Sequence, residues 1–84
     1  MKEMSEWQRR QLEAVMAVCE SLGADVRYRP ECGHFTAMIW EDGTCAHSES
    51  DARSVQKKIQ EKTAQYSSLV CYCFDAFSTL VYVI

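Results

Sequence analysis

A chain of 84 residues makes one domain (residues 1–84) with no room for a second core, and at this size folding removes only roughly 60–65% of the unfolded surface from water. Two layers of secondary structure are within reach; a deep catalytic cavity is not expected. Nine basic side chains against twelve acidic ones leave a net charge of −3, which argues against wholesale phosphate binding, a task that leans on a basic face.

The opening residues, Met1-Lys2-Glu3-Met4-Ser5-Glu6, are polar and lack the pattern of a secretory signal. The five cysteines are an odd number, so the expectation is a cytoplasmic protein with reduced thiols. Ser5 with Gln8 three residues later forms a capping-box pattern, and Leu12, Val15, Met16, Cys19 and Leu22 follow at helical spacing. Trp7 falls near the same stripe, with Arg9, Arg10, Glu13 and Glu20 opposite. Gly23 supplies the stop, which predicts a helix from about Glu6 to Leu22.

Asp25 to Arg29 alternates, with Val26 and Tyr28 on one side and Asp25, Arg27 and Arg29 on the other, a short strand ended by Pro30. Glu31-Cys32-Gly33 makes the turn into a second strand, His34 to Trp40. Asp42-Gly43, within Glu41–Thr44, is the sequence of a type I′ hairpin turn. It places Trp40 opposite Cys45, Ile39 opposite Ala46 and Met38 opposite His47. Phe35, Ala37, Ile39 and Ala46 then share one face; Thr36, Met38, Trp40, Cys45 and His47 share the other.

Ser48-Glu49-Ser50-Asp51 is a second capping cluster, and Ala52, Val55, Ile59, Thr63 and Tyr66 continue at spacings of three and four. A helix is expected from about Asp51 to Gln65, its outer side made basic by Arg53, Lys57, Lys58 and Lys62. Tyr66 to Ile84 is the most apolar stretch of the chain and holds one charge, Asp75. Its β-branched and aromatic residues favour strands, Leu69–Phe74 and Thr79–Ile84. A turn at Ala76-Phe77 groups Leu69, Cys71, Cys73, Leu80, Tyr82 and Ile84 on one face, with Val70, Tyr72, Phe74, Thr79, Val81 and Val83 on the other. Neither face is polar, so both expect cover. A membrane anchor would set Asp75 at mid-bilayer, costing roughly 2.5–3.5 kcal/mol, and no membrane association is expected. The predicted fold is α+β, two-layer: an antiparallel sheet of about five strands with two helices on one face, in the order α-β-β-β-α-β-β. Val15, Met16, Cys19, Leu22, Phe35, Ile39, Val55 and Ile59 should share its core.

Cys32-x-His34 and Cys45-x-His47 are the most tempting metal pattern, but the expected hairpin register separates the two pairs by ~13 Å along the strand, at ~3.3 Å per residue. Cys45 and His47 with Cys71 and Cys73 form a second combination, without the short turn loops of structural zinc sites. Neither is expected to hold metal, and no cofactor is expected. Cys32 or Cys45 with a histidine could form a nucleophile pair, yet no glycine-rich loop or carboxylate dyad accompanies them. No enzyme is expected.

The order helix-strand-strand-strand-helix, Gly33-His34 in the first hairpin loop and Lys57-Lys58 in the second helix resemble a double-stranded-RNA-binding domain over residues 6 to 65. That resemblance implies a phosphate-binding surface at Arg53, Lys57, Lys58 and Lys62. In that family the lysines open the second helix; here Asp51-Ala52-Arg53 stands there and the lysines come a turn later. Duplex RNA binding is therefore the alternative reading.

The leading expectation is a protein-binding module. The C-terminal hairpin has two apolar faces and two short helices can cover one, leaving Met38, Trp40, Tyr72 or Tyr82 as anchors on the open face. Acidic Glu31, Glu41 and Asp42 at the rim would steer a basic partner. The bland version is a homodimer sharing that face. The sharper one is an inhibitor of a larger protein or nucleoprotein complex. In architecture (Phe35–Trp40, the Glu41–Thr44 turn, then helix from Ser50) the chain resembles small phage-encoded anti-defence proteins of the anti-CRISPR type.

Overall fold

The computed structural model describes residues 4–40 and 46–84. Helix α1, Glu6–Ser21, opens on the capping box: the Gln8 amide donates to Ser5 Oγ at 3.1 Å, and the Ser5 amide to Gln8 Oε1 at 3.0 Å. These bonds satisfy two donors that a helix start otherwise leaves open. Its buried stripe runs Gln11, Leu12, Val15 and Cys19. Trp7, expected near that stripe, is 58% exposed, because the buried face begins one turn later.

Strand β1, Asp25–Arg29, leads through a single 3₁₀ turn, Pro30–Cys32, into strand β2, His34–Met38. Proline suits the first position of such a turn, where its missing N–H would have no partner. Gly33 closes the turn at φ 69°, in the left-handed region that a side chain resists. Helix α2, Glu49–Ala64, starts two residues before the expected Asp51, on Ser48, whose Oγ accepts the Asp51 amide at 3.2 Å. Strands β3, Leu69–Asp75, and β4, Ser78–Val83, complete the chain. The apolar C-terminal stretch forms strands, as expected, and among the described residues no helix is long and apolar enough to cross a membrane.

The sheet is antiparallel with four strands in the order β1-β2-β4-β3. This corrects the expected fifth strand. Met38 pairs with Asp25 on one side and Ser78 on the other, and the Ile39 amide donates to the Phe77 carbonyl at 2.7 Å. Both flanks of β2 are taken, so His47 cannot lie opposite Met38, and residues 46–48 are not strand. The physical reason is competition for the central position: a strand apolar on both sides gains most between two neighbours. β4 is such a strand. The Asp42-Gly43 turn itself lies outside the described residues.

Both helices pack against one face of the sheet. Leu12, Val15, Cys19, Phe35, Ala37, Ile39, Ala52, Val55, Ile59, Leu69, Val81 and Val83 form one buried cluster, and Met16 and Leu22, expected inside it, pack half-buried at its margin. A fully buried Phe35, Leu12 or Ile59 contributes on the order of 1.5–3 kcal/mol each.

The C-terminal hairpin carries the second correction. Asp75 pairs with Ser78, as a turn at Ala76-Phe77 requires, but Cys73 pairs with Thr79 and Tyr72 with Leu80. The register shifts at a bulge between Cys73 and Asp75, where Phe74 is the extra residue. One extra residue exchanges the faces of everything beyond it. Leu69, Cys71 and Cys73 therefore share the helix-covered side with Thr79, Val81 and Val83. Val70, Tyr72 and Phe74 share the open side with Leu80 and Tyr82.

Candidate docking face

Alternation in burial along β1, β2 and β4 separates the two sides of the sheet: Phe35, Ala37, Val81 and Val83 are buried while their neighbours are not. On the helix-free side the register aligns Arg29, His34, Tyr82 and Val70 in one row across the four strands. Arg27, Thr36, Leu80 and Tyr72 form the next, followed by Asp25, Met38 and Ser78. The face is thus graded, with guanidinium groups along β1 and aromatic and aliphatic groups along β4 and β3. Trp40 stands just past β2 at the same end as Met38 and is 42% exposed. Tyr72 and Phe74 are each 56% exposed, and their rings meet edge to face with centroids 5.2 Å apart.

The four expected anchors, Met38, Trp40, Tyr72 and Tyr82, all lie on this side. Phe74 and Leu80 join them, missed as a set because the bulge decides their face. Arg27 and Arg29 were visible in the alternation of β1, but only the β1–β2 register brings them onto the same surface as Met38 and Trp40. Together Arg27, Arg29, Thr36, Met38 and Trp40 line an open depression of ≈ 370 Å³. Arg27 Nε lies 3.6 Å from Asp25 Oδ2, while Arg29 has no ion-pair partner among the described residues. Of the expected acidic rim, Glu31 is exposed on the 3₁₀ turn; Glu41 and Asp42 lie outside the described residues.

The far corner of the face is fixed by Asp75. Its Oδ1 accepts the Phe77 amide at 2.7 Å and the Ser78 hydroxyl at 3.0 Å. Those donors hold its carboxyl below the usual carboxylate range. From the helix side, Gln56 Nε2 donates to the Asp75 carbonyl at 2.5 Å, tying α2 to the turn.

The cysteine and histidine candidates are scattered by the same topology. Cys32 is exposed on the 3₁₀ turn, His34 is half-buried on the open face, and His47 is exposed before α2. Cys71 and Cys73 point to the opposite side, toward the helices; Cys45 lies outside the described residues. Among the described residues no three metal-ligating side chains converge. Burial pushes the thiols of Cys19 and Cys71 up to about 12, so both are neutral core groups rather than nucleophiles.

The basic residues of α2 lie across the molecule from the open sheet face. Arg53, Lys57 and Lys58 are exposed, Arg53 pairs with Glu49 at 3.6 Å, and the Lys62 ammonium sits 5.7 Å from the centroid of the Tyr66 ring.

No protein-family model, curated protein or solved structure matches the chain. Function must be argued from these surfaces alone.

Proposed function

We propose that this chain is a non-enzymatic binding protein that works by occupying the surface of a larger protein or nucleoprotein complex with its helix-free sheet face. One observation carries the reading: Met38, Trp40, Val70, Tyr72, Phe74, Leu80 and Tyr82 come from three strands onto one uncovered side of the sheet. Side chains scattered singly over a surface call for no explanation, but an apolar group assembled across three strands costs solubility unless something covers it. Trp and Tyr are also the residues most often found as interface anchors. An antagonist of the anti-CRISPR type fits this design, since a single small domain with one committed face can block a site without chemistry of its own.

Affinity capture from the native host, with wild type beside Tyr72→Ala and Leu80→Ala, tests the proposal. Wild type should retain one partner reproducibly. Each substitution should cost ~2 kcal/mol of binding if it removes a central anchor, with the thermal midpoint moving little, because neither side chain belongs to the buried cluster. Capture that survives both substitutions would place the working surface elsewhere. Duplex RNA on α2 is the second reading, favoured by the exposed Lys57 and Lys58. Submicromolar RNA affinity lost on Lys57→Glu with Lys58→Glu would put it first.

A further inference from the structure

We infer that the depression beside β1 receives an acidic segment of the protein partner, its carboxylates held by Arg27 and Arg29 and an adjoining apolar side chain seated on Met38 and Trp40. The inference rests on the reading that the sheet face docks a protein, and it specifies that protein's chemistry. Residues two apart on a strand project from the same side, ~6.6–7 Å apart, so two guanidinium groups stand along one wall. Each can grip a carboxylate through two parallel N–H donors. Arg29 has no competing acid among the described residues, and Arg27 faces only Asp25 at 3.6 Å with both side chains well exposed. Thr36 adds a hydroxyl to the floor, and the Met38 thioether and Trp40 indole close it with apolar surface.

This polarity opposes the basic partner that an acidic rim would suggest. Glu31, the described member of that rim, sits on the 3₁₀ turn and is not among the residues that line the depression. A single-stranded nucleic acid is the competing anion. It needs a track of positive charge with separate aromatic platforms. Here the positive charge is confined to β1, while Tyr72 and Phe74, on the opposite edge, are packed against each other. Localised charge beside apolar surface suits one or two carboxylates better than a phosphate chain.

The test uses the Trp7→Phe variant, which leaves Trp40 as the one tryptophan, and follows its emission. The probes are a short peptide alternating glutamate and leucine, its lysine–leucine counterpart and a thymidine oligonucleotide. The acidic peptide should shift Trp40 emission saturably and weaken with ionic strength. Arg27→Glu with Arg29→Glu should reduce its affinity about tenfold or more while leaving the thermal midpoint in place. Equal binding by the charge-reversed variant, or tighter binding of the oligonucleotide, would overturn the inference. If the basic peptide binds instead and Leu80→Ala weakens it, the assigned chemistry falls while docking on the sheet face stands. If Tyr72→Ala and Leu80→Ala also leave partner capture intact, both readings fall.

Discussion

Cys19 shows how a residue's surroundings become a property that solution experiments can read. Its side chain is fully buried between α1 and the sheet, and its thiol stays protonated up to about 12 against an ordinary value of 9.0. The unfolded chain ionises first, so the stabilising contribution is complete below 9.0 and is lost as pH climbs from there toward about 12. In that window Cys19 should take away about 1.4 kcal/mol of stability per pH unit. Denaturant melts of wild type and Cys19→Ala at rising pH should show the variant with the shallower decline. Thr79 makes the complementary case: its hydroxyl is buried with no hydrogen-bond partner among the described residues. Thr79→Val keeps the β-branched shape and removes the unpaired group, so it should stabilise the protein by about 1 kcal/mol. Loss of stability in a urea titration would show that the hydroxyl has a partner after all.

At the scale of elements, the bulge in β3 makes the sharpest prediction. Phe74 is the surplus residue, so deleting it should leave Cys73 opposite Thr79 and Tyr72 opposite Leu80, with the fold intact. Deleting Tyr72 shortens β3 by the same one residue and keeps Leu69 and Cys71 in register, yet it sets Cys73 opposite Leu80 and turns the Phe74 ring to the helix-covered side opposite Thr79, so it should lower the thermal midpoint more than the Phe74 deletion does. Circular dichroism melts of the two deletions decide it. The same element marks where sequence reading stopped. Helix ends to within two residues, the β1 span, the start of β2 (which ends at Met38 rather than the expected Trp40) and the α+β class were legible because capping residues, Gly23, Pro30 and alternation at Asp25–Arg29 are local signals. The bulge was not, because nothing near Phe74 distinguishes an extra residue from a paired one; cover by α2 and the demand to bury Leu69 choose the register. The expected third strand failed for the same kind of reason. A strong local turn signal at Asp42-Gly43 says nothing about whether β4 already occupies the flank of β2.

For the whole molecule, an uncovered apolar side was legible in the sequence because an apolar excess is a property of the sum: more greasy surface than two helices can cover. Which side stayed open, and that Arg27 and Arg29 share it, required the complete register. The net charge of −3 therefore does not describe the open sheet face, whose depression holds two arginines among its lining residues. A homodimer closing over Tyr72, Phe74 and Leu80 would compete with any partner for the same surface. Sedimentation at micromolar concentration should find a monomer if the face is held in reserve for another protein.

The position of β4 also governs when the protein can exist at all. This strand follows every other described element in sequence, yet it lies in the middle of the sheet, joining β2 on one side to β3 on the other. His34 must wait for Tyr82, and Phe35 for Val81. The sheet cannot close until β4 joins α1, the first hairpin and α2. Closing so long a loop before its contacts reward it should make folding slower than that of a helical bundle of the same size. Until then the apolar side chains that β4 comes to cover stay exposed to water, the condition under which partly folded chains aggregate.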